Sequence, residues 1–246
     1  IMDATMVSAN LAFVNMATQM DLCDLADTTA RMGVHVGNGV VGTANPALAH
    51  QADNQLYISP GMVLGSNSIA PMTMAAAFAT FANNGVFCEP RAIVAISDRD
   101  GNAMPVKDVQ CSVAFSPEVA AGVNHALQQV INGGGNPTGI RARIDRPSAG
   151  KTGTANNAVQ SWFVGYTPQL ATAVWTGHAD KDISMENQWA NGRNWPWVYG
   201  GAVAAPIWGN YTQRALEGQE KRPFPEASER QIYGERVSVP GVVGKS

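Results

Sequence analysis

Charge is scarce in this sequence. Asp, Glu, Lys and Arg make up 14% of its 246 residues and the formal net charge is −3, so there is no basic footprint for nucleic acid or anionic lipid. Long apolar runs are missing too. The longest candidate, Met72 to Ala82, is too short to span a bilayer. The four histidines form no His-x-x-x-His pair, and the three cysteines, Cys23, Cys88 and Cys111, lack metal-site spacing. Neither zinc nor any other cofactor is expected. Three is also an odd number, which permits at most one internal disulfide. The chain opens on Ile1 with no initiator Met, signal peptide or anchor, and is expected to be an excerpt of something longer. Apolar residues, at 45%, are plentiful enough for a full core in one large domain or two small ones.

The stretch with the most chemistry is Ala149-Gly150-Lys151-Thr152-Gly153-Thr154. Side chains alternate along an extended strand, so Thr152 and Thr154 share one face and Lys151 takes the other. Gly153 leaves bare backbone between the two hydroxyls, against which an extended peptide ending in a carboxylate can lie. A phosphate-binding loop is excluded, because that pattern needs glycine where Asp145 stands. Ser148 and Lys151 have the Ser-x-x-Lys spacing of an acyl-transfer nucleophile, but that pairing works on a helix. Pro147 before it and Gly150 within it argue for a strand, and make Ser148 a loop residue.

Along the chain, Asn10 to Met20 and Leu22 to Met32 read as helices. Ser8 and Asn10 just before them have the composition of a helix cap. Residues 35–70 are rich in Gly, Asn, Pro and Ser and read mostly as loop. Pro71 opens a helix to Ala82, closed by Asn83-Asn84-Gly85. Arg91 to Ser97 reads as a strand turning through Asp98–Asn102, with a return segment reaching Cys111. Ser116-Pro117-Glu118 starts a long helix ending at Asn132-Gly133. After the Lys151 strand, Gln160 to Tyr166 and Leu170 to Gly177 read as an antiparallel pair in the same sheet. Residues 178–200 read as a long loop with four aromatics, either a lid or a surface folded back onto the body. Ala204 to Leu216 is a last amphipathic helix, and Gly218 to Ser238 a charged, proline-containing linker.

Taken together, these segments resemble the transpeptidase domain of class A (bifunctional) penicillin-binding proteins. The matching stretches are Ser8 to Val14, Gly65 to Gly85, Gly150 to Thr154, Trp162 to Pro168 and Gly200 to Trp208, in family order across most of residues 1–218. Val239 to Ser246 looks like the opening of a PASTA module. The fold implied is α/β (α+β) and β-lactamase/transpeptidase-like: an antiparallel sheet flanked by helices, incomplete at its N-terminal side. The domains implied are a partial transpeptidase domain over 1–218, a linker over 219–238 and the start of the module over 239–246.

The resemblance implies acyl transfer through a serine ester, with peptidoglycan stem peptides and β-lactams as partners and an anchor to the outer face of the bacterial membrane lying outside this chain. Ser8 would pass protons, and Asn10 would bind the substrate's amide backbone. Lys151 would keep the field positive beside the family's nucleophile lysine. Thr152 and Thr154 would bind the terminal carboxylate along Gly153, and the Thr154 N–H would be an oxyanion donor. The nucleophile's own Ser-x-x-Lys is absent in acceptable form and would precede Ile1. Two alternatives keep the fold: a D,D-carboxypeptidase or β-lactamase, and a non-enzymatic β-lactam or muropeptide sensor. A family working outside the cytoplasm also permits disulfides. The hairpin through Asp98–Asn102 would bring Cys88 and Cys111 together and leave Cys23 free; the alternative is three reduced thiols.

Overall fold

The computed structural model describes residues 1–36, 56–133, 138–190 and 192–234. Two short helices, α1 (Met2–Val7) and α2 (Asn10–Ala17), precede α3 (Leu22–Arg31), which Asp21 caps by accepting the Cys23 N–H at 2.7 Å. Part of the region read as loop, and the whole of the PASTA-like stretch, lie outside the described residues.

Helix α4 (Pro71–Ala82) begins where proline's fixed φ suits the first helical position. Its buried Thr73, Ala77 and Thr80 lie on one stripe, with Ala77 packed on Val34 and Leu56, while Phe78 and Phe81 turn to the cluster around Tyr166 in the central sheet. Strand β1 (Val86–Cys88) then leads into an exposed arm carrying β2 (Ile96–Ser97) and β3 (Ala103–Met104), and the chain returns as β4 (Cys111–Val113). The strand expected over Arg91–Ser97 shrinks to two residues. Among the described residues no layer covers it, and Ile93 and Val94 stay 54% and 72% exposed. Cys88 and Cys111 face one another in the β1–β4 register and are joined by a disulfide, while Cys23 is free and exposed.

Helix α5 (Pro117–Asn132) starts as its sequence predicts: the Ser116 Oγ accepts the Val119 N–H and Glu118 sits in the first turn. It lies against the central antiparallel sheet of β5 (Ala149–Thr154), β6 (Gln160–Tyr166) and β7 (Ala171–Gly177). Among the described residues, neither outer edge of this sheet has a strand partner. A hairpin follows, β8 (Glu186–Ala190) with β9 (Arg193–Trp197), in the stretch read as a loop. Its Trp195 is buried, with the Arg193 and Arg141 guanidiniums 3.6 and 4.7 Å from its ring centre, whereas Trp189 and Trp197 stay exposed.

Helix α6 (Ala204–Ala215) covers the sheet. Trp208 packs on Phe163 and Ile131 and donates its indole N–H to the Gly165 carbonyl at 3.0 Å. A second cluster surrounds Tyr166, whose hydroxyl donates to the buried Asn124 at 2.6 Å; burial pushes its phenol pKa up, so it stays a donor. Of the stretch read as a linker, residues 235–238 lie outside the described residues. Residues 219–234 lie on the body: Phe224 is buried against Tyr166, and α7 (Glu229–Tyr233), with its Ser228–Gln231 capping box, contacts α5. Polar contacts join this apolar anchor: Lys221 pairs with Asp145 at 2.7 Å and the Gln219 carbonyl accepts from Arg146 at 3.3 Å. The architecture is mixed helices on antiparallel sheet, as expected, and no described helix is long and apolar enough to cross a membrane.

Candidate active site

Strand β5 is an edge strand: β6 pairs it on one side, from Ala149↔Tyr166 to Thr154↔Ser161, and among the described residues its other side is open. That open side offers unpaired backbone to an extended ligand, which could add as a further strand.

Ser8 reaches this edge from the other end of the sequence. It ends α1 in the left-handed conformation (φ 59°, ψ 46°), a backbone state costing on the order of 1–3 kcal/mol outside glycine. The sharp corner turns its hydroxyl toward β5, where the Lys151 Nζ donates to Ser8 Oγ at 2.8 Å across 143 positions of sequence. Neither Ser8 nor Asn10 caps a helix through its side chain: α2 is led by Ala9 with no side-chain cap. Asn10 is exposed at the start of α2 and makes no hydrogen bond to Lys151 among the described residues. Ser8 and Lys151 are thus in contact, with Asn10 two residues from that contact.

Lys151 also donates to the Thr152 carbonyl at 3.0 Å and to Thr152 Oγ1 at 3.3 Å, curling round its own strand rather than standing on the opposite face. No carboxylate lies within ion-pair distance of it among the described residues. Burial without a counter-charge disfavours the ammonium and brings its pKa down to about 8. A lysine tuned in this way can hold or release a proton near neutral pH.

Thr154 lies at the exposed end of β5, where its Oγ1 accepts the Gly200 N–H at 3.0 Å and keeps its own proton to donate. Gly153 sits so close to β6 that an added Cβ would stand 3.1 Å from the Trp162 Cβ. Ser148, the other half of the Ser-x-x-Lys spacing, is 1% exposed and walled into the core. It is out of reach of any substrate.

Two residues that sequence reasoning gave no role also belong here. Thr138 meets Thr152 Oγ1 at 3.2 Å, a contact with no local signal. Gly200 touches β5 and β6 so closely that a Cβ would fall 2.4 Å from the Trp162 carbonyl oxygen and 2.9 Å from that of Gly153. The Gly200-Gly201 pair was the visible hint of such an approach. Gly200→Ala should therefore destabilise the protein by about 1–3 kcal/mol, or roughly 2–12 °C in Tm for a domain of this size. Thermal unfolding checks it, and an unchanged Tm would mean the 199–201 turn yields freely.

Residues 1–192 match the family described as the penicillin binding protein transpeptidase domain. Among curated proteins, the chain is 31% identical over 176 residues to penicillin-binding protein 1A of Mycolicibacterium smegmatis, covering 69% of this chain and 21% of that one. It is 34% identical over 172 residues to penicillin-binding protein 1A of Neisseria gonorrhoeae, covering 68% and 20%. The chain thus spans about a fifth of the length of these relatives. Among solved structures, PonA1 of Mycobacterium tuberculosis superposes with a TM-score of 0.79 at 24% identity, covering 100% of this chain and 63% of that one. PonA1 in complex with penicillin V gives 0.75 at 23%, covering 98% and 62%. At these identities the superpositions speak for the fold alone.

Proposed function

Because the chain belongs to the penicillin-binding protein transpeptidase family, we propose that it forms part of a longer peptidoglycan D,D-transpeptidase and supplies one side of its acyl-transfer cleft. Residues 1–218 are the proposed share of the transpeptidase domain. The observation that carries the reading is the 2.8 Å contact between Lys151 and Ser8 on the open edge of a Lys-Thr-Gly-Thr strand.

In this reading a stem peptide ending in two D-alanines extends along β5. Thr152 and Thr154 donate hydroxyl hydrogen bonds to its terminal carboxylate, and Gly153 keeps the strand bare beneath it. Asn10 holds the substrate's amide backbone. A serine outside this chain, activated by its Ser-x-x-Lys lysine, attacks the penultimate carbonyl. The C–N bond breaks, and terminal D-alanine leaves with a proton passed through Ser8. The Thr154 N–H is one donor to the oxyanion. Lys151, as the ammonium, holds the neighbouring lysine toward its neutral, basic form. An amine from a second stem peptide then takes the acyl group. β-Lactams enter as mimics of the donor and stop at the acyl-enzyme. The Cys88–Cys111 disulfide supports a location outside the cytoplasm, with membrane anchorage beyond this chain.

The test is the full-length protein with a D-Ala-D-Ala donor peptide, with and without an acceptor amine, and with a fluorescent penicillin. Release of D-alanine, a cross-linked product that needs the amine, and one covalent label per chain are expected. Hydrolysis unaffected by the amine would make it a carboxypeptidase; labelling without turnover would make it a sensor.

A further inference from the structure

Thr138 stands where three parts of the cleft meet. Its backbone N–H donates to the carbonyl of Met6 at 3.1 Å, in the last turn of α1 and two residues before Ser8. Its side-chain Oγ1 accepts from Thr152 Oγ1 at 3.2 Å. Its carbonyl oxygen lies against Gly201, 2.8 Å from where a Cβ would be. One residue therefore ties the helix that presents Ser8 to the strand that presents Lys151 and Thr152.

The hydroxyls also form a directed chain. Lys151 Nζ donates to Thr152 Oγ1, and Thr152 spends its single proton on Thr138. In that orientation Thr152 has nothing to offer an incoming anion. Thr138 carries a proton of its own, with no acceptor for it among the described residues, so the pair can reverse. Thr138 then donates to Thr152, and Thr152 donates outward. The two hydroxyls stay bonded to each other in both orientations, and in the second the Thr152 donor is polarised by the one behind it.

Building on the transpeptidase reading, we propose that Thr138 is a positioning residue for carboxylate recognition, setting the Thr152 hydroxyl as a donor to the terminal carboxylate of the donor peptide or β-lactam. Thr138 acts through Thr152 and leaves the acyl-transfer step itself alone. Its contribution is confined to ligands that bring the carboxylate.

The experiment uses the full-length protein with two probes, benzylpenicillin and its methyl ester, which lacks the negative charge. Thr138→Val removes the hydroxyl and keeps the shape. It should slow acylation by the free acid about tenfold, the scale of one hydrogen bond to a charged group, and leave the slower ester rate unchanged. Thr138→Ser should restore the free-acid rate. In a Thr152→Val background, Thr138→Val should have no further effect on the free acid. If the valine variant does not fold, Thr138→Ala takes its place in every comparison. Equal slowing of acid and ester would show a general scaffold role and overturn the proposal, as would an unchanged free-acid rate or additive losses in the double variant. A wild type that neither probe labels would overturn the transpeptidase reading itself, and that outcome is distinct from any confined to Thr138.

Discussion

Lys151→Ala in the full-length protein is expected to slow acylation by a penicillin by about 10²–10³-fold, the range for losing one preorganised electrostatic group at the site. The wild-type rate should fall as pH rises through about 8, because burial has lowered the Lys151 pKa to about 8 from the ordinary 10.5. At neutral pH the ammonium dominates and its charge is in place; above pH 8 that charge drains away. Stability runs the other way. Between pH 8 and 10.5 the unfolded chain binds more protons at this lysine than the folded one, so this group's contribution to stability rises with pH. An alkaline loss of rate without loss of fold is thus the signature of Lys151 rather than of unfolding. Lys151→Arg retains charge and should lose the alkaline limb, at a reduced rate because a planar guanidinium fits the Ser8 contact poorly. A rate flat from pH 7 to 10, or an alanine variant within a few-fold of wild type, would reduce Lys151 to a surface charge.

The second large effect is all or none. Residues 1–246 alone should form no covalent adduct with a fluorescent penicillin, while the full-length protein forms one. Ser148 and Lys151 are the only pair in the sequence with Ser-x-x-Lys spacing. On β5 and its approach, three residues apart means opposite faces, and Ser148 is buried with no hydrogen-bond partner for its Oγ among the described residues. Ser8 has Lys151 at 2.8 Å but no lysine three residues on. Intact mass spectrometry reads the result, with a cooperative thermal transition of the same sample as the folding control. A stoichiometric adduct on Ser8 would make Ser8 the nucleophile and overturn its assignment as a proton carrier.

What the sequence made legible follows from where the physics is local. Helix α5 announces itself through Ser116, Pro117 and Glu118, and α4 through Pro71 and the Asn83-Asn84-Gly85 stop, because caps act within one turn. The β5–β6–β7 order was readable from short apolar runs and short connections. The β8–β9 hairpin was missed although Asn191-Gly192 is a strong hairpin signal and Gly192 has φ 75°. The polar strands on either side hid it. Phe224 could not be foreseen, since its burial depends on a surface prepared by Tyr166 far upstream. The same holds at the site. Lys151 and Ser8 could be picked out by motif, whereas Thr138 and Gly200 matter through what other segments bring to them.

The exposed arm between Cys88 and Cys111 has a topological consequence. The strands meet residue for residue at its root, and the disulfide fastens them there, so the chain re-enters the body beside the point where it left. Whatever lies beyond that clasp hangs like a key on a ring. Lengthening or exchanging it should leave both the position and the direction from which Ser116 launches α5 unchanged. The tip at Asp100-Gly101, exposed and with Gly101 open to any neighbour, is therefore the natural place to insert a tag or a reporter. Such a handle would be carried by the protein without being felt by the cleft.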